Sequence, residues 1–323
     1  MIGALEAALP EAGQWQMSLS YRGLESNTHY SGSVRQRQRE ELGTFVINKQ
    51  QVLDLGLTYH LDRRWNLSLG VPLVKASWSI PTPTAPTPGP RAQQSAEGLG
   101  DISLTARGWL WDPVVSRRAN VGFGLGVKVP TGDDRVTDVF PPIAGGEATR
   151  KPVDQSVQLG DGGWGVLVEV QAYRALSKAT LFASGTYLVN PRDTNGTPSI
   201  LPGLGIAPTP ETADLHVNSV PDQFVARAGA VFPVNPAGMA LSAAARIEGL
   251  PRYDLVGDSH GFRRPGYEVY FEPGVLLERG RSIVSLHVPV GVYRNRQPNP
   301  YTGREGDATF PDFVFLLGYG HRF

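Results

Sequence analysis

Apolar and polar positions alternate with a period of two along most of the chain, and helical spacing is almost nowhere present. In the cleanest run Val121, Phe123, Leu125, Val127 and Val129 share one face, and Gly122, Gly124, Gly126 and Lys128 share the other. The same alternation recurs over residues 53–60, 65–73, 164–171, 267–275 and 284–292. About twelve such segments can be drawn, each close to the roughly 9–11 residues that a tilted strand needs to cross a bilayer. Short links fall near Asp62–Arg64, Asp112–Arg118, Leu176–Lys178, Asn235–Gly238 and Arg279–Arg281. Between them lie long Pro/Gly-rich links, roughly 25–46, 79–97, 131–156, 190–220, 250–262 and 294–307. A soluble sandwich has no reason to sort its loops by length. An outer-membrane barrel does, with short periplasmic turns and long outer loops.

The expected fold is therefore all-β, a transmembrane antiparallel up-and-down β-barrel of about 12 strands. Residues 1–12 read as an N-terminal periplasmic extension and 13–323 as one barrel domain. In hydrocarbon every backbone donor and acceptor needs a partner, so strands span only as a closed barrel. Amphipathic rings prefer the two membrane interfaces. Trp15, Tyr59, Trp65, Trp109 and Trp111 are expected at the short-turn side, and Trp78, Trp164, Tyr187, Phe224, Tyr293 and Phe310 at the long-loop side. The last alternating strand ends in Tyr319, His321 and Phe323, which resembles the signal read by barrel-insertion machinery.

Composition narrows the choice. The 323 residues carry 30 Lys+Arg against 30 Asp+Glu, so no basic stripe marks a nucleic-acid surface. There is no cysteine, which removes disulfides, thiolate metal sites and a Cys nucleophile. No run approaches the roughly 18 apolar residues of a spanning helix. Met1 to Glu11 have neither a basic n-region nor an apolar core, so the export signal is expected to have been removed from this chain. The location that fits is the outer membrane of a Gram-negative bacterium.

Residues 98–133 contain GLGD, then a strand and turn, then NVGFGLGVKVPTGD. Gly98, Gly100, Asp101, Gly124, Gly126, Pro130, Thr131 and Gly132 make this block resemble the outer-membrane family named for the meta-pathway of phenol degradation. The string Gly160 to Gly165 and the terminal Phe add to the likeness. The resemblance implies a barrel that passes small, often aromatic, compounds.

Inward positions of the alternation give candidate lumen residues: Arg22, Asp54, His60, Arg107, Lys128 and Glu169 in the first half. Arg227, Arg246, Glu248, Glu268, Glu272, His287 and Asp312 follow in the second. Unpartnered buried charge is costly, so these groups should pair across the lumen or touch water. Lys128 and Arg107, on neighbouring strands, are expected to form a positive patch that favours anions. Ser285 and His287 point to one face, as a lipase pair would, but no orienting Asn is evident. The acidic run Thr131–Asp138 lacks the ligand series of a calcium site, and the His spacings give no zinc reading. No cofactor or metal is expected.

The leading reading is a channel for passive diffusion of small solutes, apolar or aromatic by resemblance. The alternative is a plugged structural barrel whose outer loops meet a partner, and the remote one a barrel lipase. Expected partners are outer-membrane lipid, the barrel-assembly machinery and a small-molecule solute, with no nucleic acid. The stiff Pro-rich segment 80–90 and the 190–220 link are expected to cover the mouth.

Overall fold

The computed structural model describes residues 11–84, 87–140, 147–235, 237–303 and 306–323. Residues 1–10 of the expected N-terminal extension lie outside the described residues. The strands are β1 (Trp15–Ser31), β2 (Ile47–His60), β3 (Trp65–Thr84), and β4 in two segments (Thr87–Leu99 and Ile102–Trp109). Then come β5 (Ala119–Val129), β6 (Gly165–Ala175), β7 (Thr180–Val189) and β8 (Gln223–Pro233). The last four are β9 (Met239–Leu250), β10 (Gly266–Arg279), β11 in two segments (Ser282–His287 and Val290–Arg296), and β12 (Asp307–Arg322). Each strand pairs antiparallel with its neighbours in sequence. β1 pairs with β12 from Gln16↔Arg322 to Ser31↔Asp307, which closes the twelve-stranded barrel; β11 pairs with β12 along Ser282–His287, and its outer segment meets β12 only at Val290↔Phe313.

The outer face follows from the alternation. Leu19, Leu55, Leu69, Phe123, Leu125, Val168, Phe271 and Phe313 are all exposed, an apolar belt that a water-soluble protein would bury. The short turns are locally encoded. Asp62 Oδ1 accepts from the backbone of Arg64 and Trp65 at 2.6 and 2.7 Å, and Asn235 Oδ1 accepts from Ala237 at 3.1 Å. Gly280, with φ of +62°, takes the left-handed position of the two-residue β10–β11 hairpin.

Three sequence expectations change. Residues 79–97 are not a loop: β3 and β4 stay paired up to Thr84↔Thr87. At about 3.3 Å per residue, this hairpin is far longer than a bilayer crossing, and its distal half stands above the membrane. There the alternation loses its apolar partner, and the strand reads as a polar link. β1 likewise runs to Ser31, well past the expected loop start at residue 25. Residues 85–86, the tip of the Pro-rich segment, lie outside the described residues.

The aromatic girdles are also revised. Trp15, Trp65 and Trp111 are exposed at the short-turn side, and Trp15 packs on Tyr59 with centroids 4.7 Å apart. Trp109 instead turns inward against Tyr173, 5.4 Å between centroids. On the other side Trp164 and Tyr293 are exposed, whereas Trp78 and Phe310 are buried. Trp78 keeps the inward parity of Gly70 and Pro72, so β3 carries it over the barrel mouth. There it packs with Phe140, Val153, Val157 and Ile200 in an apolar cluster beneath the outer loops.

Candidate functional site

The interior charges lie in three zones. Nearest the short turns is a cavity of about 710 Å³ lined by Ser18, Thr58, Ser68, Ser103, Thr105, Arg107, Trp109 and Tyr173. Asp54 and His60 border it, and the His60 Nε2 atom has no hydrogen-bond partner among the described residues. Arg107 and Glu169 pair across β4 to β6 over the side-chain-free Gly124, with a second contact, Nη2 to Oε1, of 3.0 Å.

At mid-depth the barrel is belted by ion pairs. Arg22 Nη2 on β1 meets Glu248 Oε1 on β9 at 2.6 Å, a contact between strands that are not neighbours and therefore one that crosses the interior. Arg246 also pairs with Glu248, and lies 3.6 Å from Glu272. The fully buried Glu272 pairs with Arg227 and lies 3.3 Å from His287 Nδ1. A cavity of about 250 Å³ runs between these groups, bordered by Ser20, Asp54 and Ser184 on the inner side and Arg22 on the outer. Mutual pairing offsets the desolvation that each charge incurs inside a low-dielectric barrel. The Glu272 carboxylate approaches His287 without hydrogen-bonding to it and is engaged by two guanidiniums, so it does not orient the imidazole as a catalytic pair requires. The Ser285/His287 face sits deep inside the barrel, away from lipid esters.

The third zone is an outer cavity of about 860 Å³. Lys128 stands on its wall, and its Nζ donates to Asp101 at 2.9 Å, to Asp161, and to the Gly163 carbonyl at 2.8 Å. The expected positive patch of Lys128 and Arg107 is therefore absent. Both cations are matched by carboxylates, and the two lie in different cavities. Burial pushes the Asp161 carboxyl up, against the opposing pull of Lys128.

The Gly-rich motifs explain themselves here. Asp101 accepts from the Gly132 N–H at 3.0 Å, and Thr131 Oγ1 accepts from Ile102 N at 2.9 Å while donating to Gly100 O at 2.8 Å. A Cβ on Gly132 would stand 2.5 Å from the Leu159 carbonyl, so residues 98–101, 130–132 and 159–163 knit backbone to backbone.

The segment 153–161 between β5 and β6 folds into the mouth rather than over it. Gln50 on β2 donates to Ser156 O at 2.6 Å, and Gln94 Oε1 on β4 accepts from Asp154 N at 3.1 Å. From the opposite wall Arg264 donates to both Asp154 oxygens, at 2.9 and 2.6 Å. Burial alone would raise the Asp154 carboxyl, but Arg264 and the Ser156 bonds outweigh it and hold the pKa below its ordinary value.

The remaining candidates lie around β10 to β12. Glu268 accepts from Tyr270 OH and lies 3.4 Å from Arg294 Nε. Asp312, whose side chain is 58% exposed, sits at the rim and accepts from Arg294 at 3.0 Å. Tyr319 and His321 lie at the short-turn rim, where His321 Nδ1 meets Ser282 Oγ at 2.8 Å. The Phe323 N–H donates to Trp15 O at 2.9 Å.

Arg294 and Arg296 were missed by parity. The register jumps between Tyr270↔Gly291 and Val269↔Tyr293, so Val292 is an extra residue that flips the strand. Past it the alternation that placed Val290 and Val292 on the lipid face turns Arg294 and Arg296 inward. Arg263 and Asp154, in loops, had no periodicity to place them.

A closed antiparallel barrel with an apolar outer face and an ion-paired interior is an outer-membrane β-barrel protein, and this chain is one. No family model matches the chain, nor does any curated protein. Among solved structures it is similar to the COG4313 outer membrane channel from Pseudomonas putida F1, with a TM-score of 0.64 and 14% identity over 100% of both chains. The Ralstonia pickettii toluene transporter TbuX follows at a TM-score of 0.45 and 10% identity, covering 98% of this chain and 90% of that one. The Pseudomonas putida toluene transporter TodX stands at 0.43 and 9%, covering 97% and 90%. The first likeness extends from end to end and shows the fold, which is the fold implied by the GxGD and PTG strands.

Proposed function

We propose that the chain is an outer-membrane channel through which small solutes with an apolar body diffuse passively. The observation that carries this reading is the succession of three cavities that share lining residues from one barrel mouth to the other. A solute first meets the outer cavity, where Val46, Trp78, Ile80 and Phe262 offer apolar contact. It then passes the ion-paired waist and reaches the hydroxyl-lined inner cavity. No bond is made or broken, and the driving force is the solute's own gradient. The apolar belt meets outer-membrane lipid, and Tyr319, His321 and Phe323 serve as the handle for insertion machinery.

A second reading, a plugged barrel, draws on the docked 153–161 segment and the paired waist. Single-channel recording in a planar bilayer separates the two. A channel gives steady conductance proportional to salt, raised when Arg264→Gln weakens the hold on the segment. Silence from folded protein, wild type and variant alike, leaves the plugged barrel standing. Ester hydrolysis lost in Ser285→Ala would instead support the lipase alternative.

A further inference from the structure

Among the described residues lining the outer cavity, one guanidinium has no carboxylate at ion-pairing distance. Of the cations lining it, Arg22 is matched by Glu248, His29 and Arg39 by Asp307, Lys128 by Asp101, Arg263 by Asp254 and Arg264 by Asp154, and the lining carboxylate Glu268 lies 3.4 Å from Arg294. Arg296 lines the same cavity, is 7% exposed, and has no carboxylate within 4.0 Å among the described residues. It donates only to carbonyls: Arg264 O at 2.5 Å, Pro265 O at 3.5 Å and Thr309 O at 3.2 Å. Its Nε–H has no hydrogen-bond partner among the described residues. The guanidinium lies over the Phe310 ring, 4.0 Å from the centroid.

Glu268 and Asp307 act on this guanidinium only from beyond 4.0 Å, and a buried guanidinium with no carboxylate in contact is costly unless a ligand completes it. Its planar fork suits a carboxylate. Phe310 beside it, and Val46, Ile80 and Phe262 elsewhere on the cavity wall, suit an aryl or alkyl body. A volume of about 860 Å³ holds a molecule of that size.

We propose that Arg296 is the anchor of a binding site for small carboxylic acids with an apolar body, held in the outer cavity before passage. This rests on the channel reading for the word passage, but the site itself stands on the cavity and its unmatched cation.

The test is calorimetric titration of the folded, full-length protein with cinnamate, its neutral isostere cinnamamide, and the cation cinnamylamine, against empty micelles as blank. Cinnamate should bind about tenfold or more tightly than cinnamamide, the difference expected of a charge-assisted bond. Arg296→Gln should bring the ratio to about one by removing that charge. Because this change also alters three carbonyl bonds, Gly306→Asp provides a second variant. A Cβ at Gly306 would lie 3.7 Å from Arg296 Cγ, ordinary contact, so the new carboxylate neutralises the arginine in place. It should abolish the preference for cinnamate while leaving cinnamamide binding unchanged.

Equal binding of acid and amide in the wild type overturns the proposal. So does preference for the amine, or acid preference that persists in Gly306→Asp. Conductance of the same preparations keeps the two readings apart. A conducting protein without acid preference loses this site alone, and a silent protein with it keeps the site and loses the channel.

Discussion

The hold on the segment inside the mouth can be broken at one residue. Asp154 is fully buried and accepts from both Arg264 terminal nitrogens, at 2.9 and 2.6 Å, and from Ser156 N and Oγ at 2.9 and 2.6 Å. Asp154→Asn keeps the shape and deletes the charge. Removing one partner of a buried ion pair costs about 3–5 kcal/mol. The Arg264 side chain is 25% exposed, however, so water recovers part of the loss. The discounted figure is about 2–3 kcal/mol, which corresponds to a shift of roughly 30- to 150-fold in the ratio of docked to undocked segment.

The natural absence of cysteine makes this measurable. Val157, on the same segment, is 0% exposed, and Val157→Cys places a single thiol that a membrane-impermeant thiol reagent reaches only when the segment leaves its seat. The modification rate, compared between Val157→Cys alone and Val157→Cys with Asp154→Asn, reads the undocking equilibrium. The packing cost of the cysteine is common to both proteins and cancels. An increase near the worked range is expected, with a matching rise in single-channel open probability. A change below about threefold would mean that the neutral contacts of Gln50 and Gln94 hold the segment, and that the Arg264–Asp154 pair contributes nothing beyond the median exposed salt bridge.

Acid should loosen the same hold. Because the folded pKa of Asp154 lies below its unfolded value near 3.9, its contribution is complete above that value and is lost as pH falls through the folded pKa. The Val157→Cys modification rate should thus stay flat through neutral pH and climb only below about pH 4. Glu272→Gln removes the carboxylate paired with Arg227 and 3.6 Å from Arg246, and should destabilise the barrel by about 3–5 kcal/mol, seen as a lower temperature for loss of heat-modifiable mobility. Gly132→Ala forces a Cβ into the Leu159 carbonyl at 2.5 Å and should cost about 1–3 kcal/mol in the same assay, whereas Gly196→Ala meets nothing within 4 Å and strains only its own backbone. Lys128→Glu, set beside Asp101 and Asp161, should disrupt the junction of the outer strands rather than invert ion selectivity, so a folded variant with unchanged stability would contradict the structural role given to Lys128.

Most of the barrel was legible in the sequence because a period of two, once fixed by lipid on one side, determines which way each residue points. The reading of β5 and β6 needed nothing more: Phe123, Leu125, Val166 and Val168 face out and Glu169 faces in, as the alternation says. Legibility ended where that constraint ended. Above the membrane no lipid meets the outward face of the β3–β4 hairpin, so Lys75, Ser77 and Ser79 leave that face polar while Ala76, Trp78 and Ile80 point inward, and the stretch resembles a loop. Trp78, assigned to the lipid interface by residue type, obeys its parity instead and becomes the core of the outer cluster. At Val292 a single extra residue reversed the phase of β11, which hid Arg294 and Arg296 on what the pattern called the lipid face. The Asp154–Arg264 pair spans 110 residues between two loops, and no local signal announces it.

The interior charges bear on where selectivity can reside. At the waist and beside it Arg22, Arg107, Arg227 and Arg246 face Asp54, Glu169, Glu248 and Glu272, four cations against four carboxylates, while Arg117 stands apart at the short-turn end of the inner cavity. A belt with no net charge stiffens the barrel and shapes the passage, but it gives an ion of either sign little reason to prefer it. Discrimination by charge needs a group whose field is not already spent on a neighbour. In the outer cavity that group is Arg296, placed by a bulge beside Phe310 and left with a free donor. The waist then acts on size and hydration and the vestibule on chemistry, so substitutions at Arg22 should alter conductance without altering which acids bind, and substitutions at Arg296 the reverse.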